Sequence, residues 1–163
     1  MRRRIAPASP PRSEDRLFLT EQRLREAAEM MFFGYRAFTR DPDIILEEMG
    51  YGRAHHRALH FIGRHPDTSV ARLLSILQVT KQSLARVLKP LTEDGFVSVR
   101  VGAEDRRQRL LRLTAAGEAL EERLSQPQRE RLSRAFRTAG PQAVAGFRQV
   151  LEAMADDGEE AGG

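Results

Sequence analysis

The side chains of this sequence that could do chemistry are mainly cations, and they are concentrated in one stretch. Residues 69–114 carry nine Lys and Arg against four Asp and Glu, whereas the net charge of the whole 163-residue chain is only +4. A local excess of positive charge favours a polyanion as partner, with a solvated basic surface as the alternative. The nine cations are Arg72, Lys81, Arg86, Lys89, Arg100, Arg106, Arg107, Arg109 and Arg112.

Several of these cations lie on one face of a predicted helix over residues 80–94. Leu84, Val87, Leu88 and Leu91 have the spacing of a buried stripe, and Thr80 can cap the first turn. Arg, Lys and Gln pair with base edges and Ser with phosphate oxygens, so the opposite face suits the major groove of double-stranded DNA. The polar face of any amphipathic helix is the alternative interpretation. The outward side chains are Lys81, Gln82, Ser83, Ala85, Arg86 and Lys89.

The elements next to this helix predict a winged helix-turn-helix. Asp67, Thr68 or Ser69 can cap a short helix that ends near residue 77, so that two helices are separated by a turn. After residue 95, the segments FVSVRV and QRLLRL alternate polar with apolar residues, as the two strands of a half-buried hairpin do. The predicted fold class is therefore mainly α with a small antiparallel β-hairpin.

The loop GAEDRR forms the tip of this hairpin, which would be the wing. A wing beside a DNA-reading helix lies over the minor groove, where a narrow groove concentrates negative potential and attracts an inserted guanidinium. Arg106 or Arg107 can supply that group, and Asp105 can hold an arginine in orientation through a charge-assisted hydrogen bond. A solvated turn with an incidental ion pair is the alternative.

Helices are predicted on both sides of the winged segment. Apolar spacing predicts a long first helix over residues 17–38 and a second over residues 52–64. Thr114 can cap a helix that leaves the wing, and a final helix follows it. The residues predicted to begin, end or bend helices are Pro42, Pro90, Pro127 and the pair Gly140 and Pro141.

Composition excludes several classes of protein. The chain has no cysteine, which excludes disulfides and thiol redox sensing and favours a reducing compartment. Its apolar runs are too short to span a membrane, and its basic start lacks the apolar core of a signal peptide. It has no nucleophile motif, phosphate-binding glycine loop or paired-carboxylate site. We expect a cytoplasmic protein that is not an enzyme and has no cofactor.

Four histidines are clustered in residues 55–65. His56 and His60 share a helical face at the spacing of a two-ligand metal site, but no carboxylate lies in that helix and HExxH is absent. We therefore favour packing or interface roles and predict no metal site, with a pH or anion sensor as the alternative. For the apolar cluster MMFF we favour a place in a dimer core, with the lining of an effector pocket as the alternative. The candidates for that pocket are Phe32, Tyr35, His55, His56 and His60.

The order of these elements resembles the MarR family of bacterial transcriptional regulators. The similar segment is SVARLLSILQVTKQSLARVLKPLTEDGFVSVRVGAEDRRQRLLRLTAAG, residues 69–117, and HHRALHFIGRHP with TKQSLARVL resembles the PetP-like branch of the family. The resemblance implies a homodimer that binds a palindromic operator, usually as a repressor relieved by a small-molecule ligand. It also implies that Arg107 is the minor-groove residue and that Asp105 steadies it.

Composition, the predicted elements and this resemblance together divide the chain into regions and assign its DNA contacts. A winged-helix module for protein contacts is the alternative function, and a histidine-dependent metal-binding protein is a more remote one. The implied regions are a disordered basic arm (1–16), a dimerisation helix and loop (17–50), the winged helix-turn-helix (51–113), C-terminal dimerisation helices (114–155) and a disordered acidic tail (156–163). The predicted DNA-binding residues are Ser69, Thr80, Lys81, Gln82, Ser83, Arg86, Lys89, Arg106, Arg107 and Arg109.

Overall fold

The computed structural model of the chain describes residues 18–156, so the predicted basic arm and the acidic segment after residue 156 lie outside the described residues. The chain divides into two compact units, one up to Ala37 and one from Phe38 onward. The mainly helical fold with a small antiparallel sheet is confirmed. Its elements are α1 (Glu21–Glu48), α2 (Arg53–Arg64), β1 (Thr68–Ser69), α3 (Val70–Leu77), α4 (Lys81–Glu93), β2 (Val97–Val101), β3 (Arg109–Leu113), α5 (Ala115–Ala139) and α6 (Pro141–Asp156).

Three helices begin where capping residues predict them. The Ser69 hydroxyl accepts a hydrogen bond from the Arg72 N–H at 3.1 Å and so caps α3. Thr80 caps α4 by accepting from the Ser83 N–H at 3.1 Å, and Thr114 caps α5 in the same way. Each cap satisfies a backbone donor that the first turn leaves unpaired. The helix-turn-helix and the helix that leaves the wing are therefore confirmed.

The sheet contains the predicted hairpin and one strand that the sequence did not indicate. β2 and β3 pair antiparallel, with Val97 opposite Leu113 and Val99 opposite Leu111. β1 adds to the other edge of β3 and gives the order β1-β3-β2. A strand of only two residues carries no alternation, and its second residue is also the cap of α3, so the pattern could not reveal it.

The prediction that the first helix ends before Pro42 is wrong, because α1 continues through Pro42 to Glu48. A proline inside a helix leaves the carbonyl four residues earlier without its usual donor. Here that carbonyl belongs to Phe38, and the Gln128 side-chain amide of α5 donates to it at 3.3 Å. Arg131 of α5 also pairs with Asp41 at 3.0 Å. The second half of α1 is thus held by contacts with α5.

Two further prolines also lie inside helices. Pro90 neither ends α4 nor separates its last turn, since α4 runs to Glu93 and the Asp94 N–H donates to the Pro90 carbonyl at 2.9 Å. Pro127 does not begin a helix either, because α5 is continuous from Ala115 to Ala139. The break at Gly140 is confirmed, where a φ of +85° suits glycine.

The core of the unit from Phe38 onward joins the helix-turn-helix to α2, α5 and the sheet. It brings together the apolar stripe of α4, the inward residues of the hairpin and the first turns of α5. This packing fixes the outward face of α4 relative to the wing. The buried apolar residues are Leu46, Ala58, Leu59, Ile62, Leu73, Leu84, Leu91, Val97, Leu111, Leu113, Leu120 and Leu124.

Candidate nucleic-acid interface

The division of α4 into two faces is as the sequence predicts. Leu84 and Leu91 are buried, and Val87 and Leu88 are partly buried. The opposite face is solvent-exposed along the whole helix, and its one ion pair among the described residues is a loose contact between Lys89 and Glu93 at 3.9 Å. The exposed side chains are Lys81, Gln82, Ser83, Ala85, Arg86 and Lys89.

The hydroxyl groups of two predicted contact residues are already engaged within the chain. Thr80 accepts from the Ser83 N–H and donates to the Ser83 hydroxyl at 2.9 Å. Ser69 is partly buried and caps α3. Both residues therefore position helices, while the long side chains of α4 extend into solvent.

The wing tip is a tight turn that exposes both arginines. The Gln108 N–H donates to the Asp105 carbonyl at 3.1 Å, which places Arg106 and Arg107 at the two corners of the turn. Gly102 is buried beneath this turn. A Cβ at this position would lie 2.7 Å from the Asp105 carbonyl oxygen, so a side chain there would clash with the turn. The geometry presents two exposed guanidinium groups next to each other.

The predicted partner of Asp105 needs a correction. Its carboxylate accepts from the backbone N–H of Arg107 at 2.9 Å, and within the described residues it makes no ion pair with a guanidinium. An aspartate that bonds to the backbone two residues later stabilises the turn itself. Asp105 therefore fixes the position of the Arg107 backbone and leaves the side chain of Arg107 free.

A second aspartate, Asp67, which the sequence indicated only as a candidate helix cap, braces the base of the wing. Asp67 has a φ of +64°, and its carboxylate pairs with Arg100 of β2 at 2.9 Å. Arg112 of β3 donates to the same carboxylate through Nε at 3.1 Å and through Nη2. These hydrogen bonds, above all those from Arg112, hold the pKa of Asp67 below its ordinary value. One carboxylate thus links the end of α2 to both long strands.

We expect the pH dependence of stability to report this link. Because the folded-state pKa of Asp67 is lowered, its contribution is present above the unfolded value of about 3.9 and is lost as pH falls through the folded value. Asp67→Asn, which still tolerates positive φ, should lower the denaturation midpoint at pH 7, and this difference should vanish in acid. Urea unfolding from pH 7 to pH 2 measures it, with the exposed Glu104→Gln as control. A denaturation midpoint of Asp67→Asn that stays below that of wild type by the same amount in acid would contradict the ion pairs assigned to Asp67.

Most of the basic window is left without acidic partners. Asp67 is the only acid between residues 53 and 92, and it is engaged by Arg100 and Arg112. Opposite charges close enough to pair would cancel the field of this surface, so their scarcity leaves it positive. The cations of the window that pair with no carboxylate in residues 18–156 are Arg72, Lys81, Arg86, Arg106, Arg107 and Arg109.

Tyr51 joins the start of α2 to the end of α4, another contact that the sequence did not indicate. Its hydroxyl donates to the Asp94 carboxylate, and its ring stacks on His55 with centroids 4.7 Å apart. Burial, together with the hydrogen bond to Asp94, raises the pKa of Tyr51, so the phenol stays protonated. This contact fixes the C-terminal end of α4 against α2.

Two histidines of α2 contact polar side chains of α5. His60 Nδ1 lies 3.1 Å from the Glu121 carboxylate of α5, and His56 Nε2 lies 3.2 Å from the Ser125 hydroxyl. Ser125 donates to Glu121 at 2.5 Å, so its oxygen must accept from an Nε2–H of His56. Burial lowers the pKa of His56, with the Glu121 carboxylate opposing this effect. His56 and His60 therefore connect α2 to α5.

The remaining candidates for the effector pocket are His55, Phe32 and Tyr35. His55 accepts from the Gly52 N–H at 3.0 Å and stacks on Tyr51. Phe32 and Tyr35 belong to the unit up to Ala37, where both are exposed, so the pocket drawn from these residues stays a prediction. Between residues 18 and 156, no cluster of three or more His, Asp or Glu side chains is arranged to hold a metal ion. No helix in this part of the chain could cross a bilayer.

Comparisons with known proteins agree with this geometry. The model of the MarR family matches residues 49–108. The HTH-type transcriptional regulator PetP of Rhodobacter capsulatus is 58% identical over 93% of this chain and 92% of its own length. A MarR-family regulator from Silicibacter pomeroyi shares the fold with a TM-score of 0.68 at 23% identity, over 85% of this chain and 92% of its own. Streptococcus pneumoniae FabT, solved in complex with DNA, has a TM-score of 0.72 at 18% identity, over 87% of this chain and 99% of its own.

Proposed function

This chain belongs to the MarR family of transcriptional regulators, and from that premise we propose that it acts in the cytoplasm as a homodimeric, ligand-responsive repressor with a palindromic operator. The observation that carries the proposal is the exposed face of α4 beside the wing, where five cations pair with no carboxylate of the described chain: Lys81, Arg86, Arg106, Arg107 and Arg109. FabT, solved in complex with DNA, has the same fold, which supports duplex DNA as the polyanion.

In this proposal α4 enters the major groove and the wing lies over the adjacent minor groove. Lys81, Gln82 and Arg86 lie in the first two turns of α4 and have the donors that base edges require. Lys89 lies further along α4 and contacts a phosphate. Ser83 on the first turn of α4 and Arg109 on β3 are the other phosphate contacts. Arg107, held at its backbone by Asp105, provides the minor-groove guanidinium.

Exposed apolar surface supports the proposed homodimer. In the unit up to Ala37, α1 exposes Met30 by 66% and Phe32 by 63%. In the other unit, α6 exposes Val150 by 58%, and an open groove of about 890 Å³ between α5 and α6 contains Phe136 and Val144. Apolar surface of this extent marks an interaction site, and a second copy of the chain would cover it. The two copies together would present two α4 helices with two-fold symmetry.

The proposed repressor responds to a bound effector. We infer a small molecule that binds where the helix-turn-helix meets the dimerisation helices. Phe32, Tyr35, His55, His56 and His60 are the candidate residues. His56 and His60 already connect α2 with α5 through Ser125 and Glu121, so a ligand that disturbed this connection would change the position of the winged domain.

Selection of bound sequences from random duplexes tests this function. The full-length chain should enrich a two-fold symmetric site with half-sites about 10 bp apart, because a dimer places its helices one DNA turn apart. Arg86→Ala should relax the preference at one base pair of each half-site, since a bidentate base contact is worth about 1–3 kcal/mol of discrimination. Arg72→Ala, which removes an exposed cation on α3, should leave the selected sequence unchanged. Enrichment of no sequence by the wild-type chain would refute the proposal.

A further inference from the structure

Arg57 is an exposed cation of α2 that lies against the start of α4. Together with Ala54 it lines a small cavity of about 80 Å³. Across this cavity lie Val79 of the turn between α3 and α4, and Ser83 of the first turn of α4. The Arg57 side chain therefore extends the edge of the predicted DNA-reading surface from a different helix. Neither its position in α2 nor any motif in the sequence assigns it to that surface.

The charge of Arg57 has no acidic partner in the described part of the chain. Its neighbour one turn earlier, Arg53, is held by Asp43 with hydrogen bonds of 2.7 to 3.2 Å. Neither α2 nor α3 contains an acid, and Asp67 is engaged by Arg100 and Arg112. An exposed guanidinium that pairs with no carboxylate of the described residues keeps its full donor capacity for an external anion.

We propose that Arg57 contacts a phosphate of the DNA strand that borders the major groove occupied by α4. The major groove is about 12 Å wide, so a helix lying in it has a phosphate backbone on each side. A guanidinium beside the first turn of that helix can reach the nearer backbone and form charge-assisted hydrogen bonds with phosphate oxygens. This inference rests on the proposed function, and it extends the DNA footprint from α4 and the wing to α2.

The salt dependence of operator binding tests the contact in the full-length protein. Each neutralised phosphate contributes about 0.9 to the slope of log K against log salt, so Arg57→Gln in both copies should reduce the slope by roughly 1.8. The dissociation constant at low salt should rise roughly tenfold, and Arg57→Lys should retain most of the slope. The preferred base sequence should stay that of the wild type, because phosphate contacts carry no sequence information.

Arg64→Gln is the matched control. Arg64 is also exposed on α2, lies seven residues or about two helical turns away, and makes no ion pair with the described residues. The same loss of charge there should leave the slope at the wild-type value. An unchanged slope in Arg57→Gln, or an equal reduction in Arg64→Gln, would overturn the contact.

A scan of methylphosphonate substitutions keeps the test independent of the variant's stability. With the wild-type protein, neutralising one phosphate per half-site at the border of the groove should weaken binding. With Arg57→Gln, the same change in the DNA should cause no further loss of affinity. If every phosphate has the same effect in both proteins, Arg57 contacts none. A wild-type chain with no preference for its operator would instead overturn the proposed function, so the two failures are distinguishable.

Discussion

Replacing Gly117 with alanine is expected to lower the free energy of unfolding by about 3 kcal/mol or more. Gly117 is buried in the first turn of α5, and a Cβ there would lie 2.0 Å from the Phe96 carbonyl oxygen and 2.9 Å from its carbon. Both atoms are backbone, and Phe96 O also accepts from the Thr114 N–H at 3.1 Å. Because no flexible side chain can move aside, α5 would have to separate from the start of β2.

Urea denaturation of wild type and variant at neutral pH measures this effect. Ala116→Ser is the control, because it adds one heavy atom at the exposed neighbouring position of the same turn and should cost less than about 0.7 kcal/mol. Equal denaturation midpoints for Gly117→Ala and wild type would show that the close approach of α5 to Phe96 is wrong. The result would not depend on any assumption about DNA.

Replacing Arg107 with alanine is expected to weaken operator binding roughly tenfold to a hundredfold, about 1.4 to 2.8 kcal/mol. The Arg107 backbone is fixed by Asp105, its guanidinium pairs with no described carboxylate, and the turn exposes it at the wing tip. A guanidinium inserted into a narrow minor groove gains from the concentrated negative potential there. The loss should therefore be largest on operators with A·T-rich flanks, and the salt dependence should become flatter.

Arg106→Ala provides the control, because it removes the same charge from the other corner of the same turn. We expect it to reduce affinity less than roughly threefold, about 0.7 kcal/mol. Electrophoretic or fluorescence titrations of both variants on one operator make the comparison. Equal losses would show that the choice between the two arginines is wrong, and no loss in either variant would remove the wing from the DNA interface.

Local signals in the sequence predicted much of the fold. The caps at Ser69, Thr80 and Thr114 and the alternating strands each depend on a few neighbouring residues, and all are confirmed. The end of α1 could not be predicted in this way. Pro42 is accommodated because Gln128, 90 residues from Phe38, supplies the missing donor, and no local pattern contains that information.

The candidate interface was predictable in its composition but less so in its supports. The outward face of α4 and the arginines of the wing follow from spacing and charge, whereas Asp67 and Tyr51 depend on contacts that tertiary packing creates. Asp67 meets Arg112 across 45 residues, and Tyr51 meets Asp94 across 43. Asp105 illustrates the same limit, because its position in the turn was evident while its partner proved to be a backbone N–H.

We infer that the unpaired cations of α4 and the wing recognise a specific DNA sequence. The most direct test of this recognition is the affinity of the full-length chain for the DNA upstream of its own gene and for a shuffled duplex of equal length, across a range of salt concentrations. We expect the upstream DNA to bind about a thousandfold or more tightly, with both affinities falling linearly in log K against log salt. Equal affinity for the two duplexes at every salt concentration would show that these cations recognise no specific sequence.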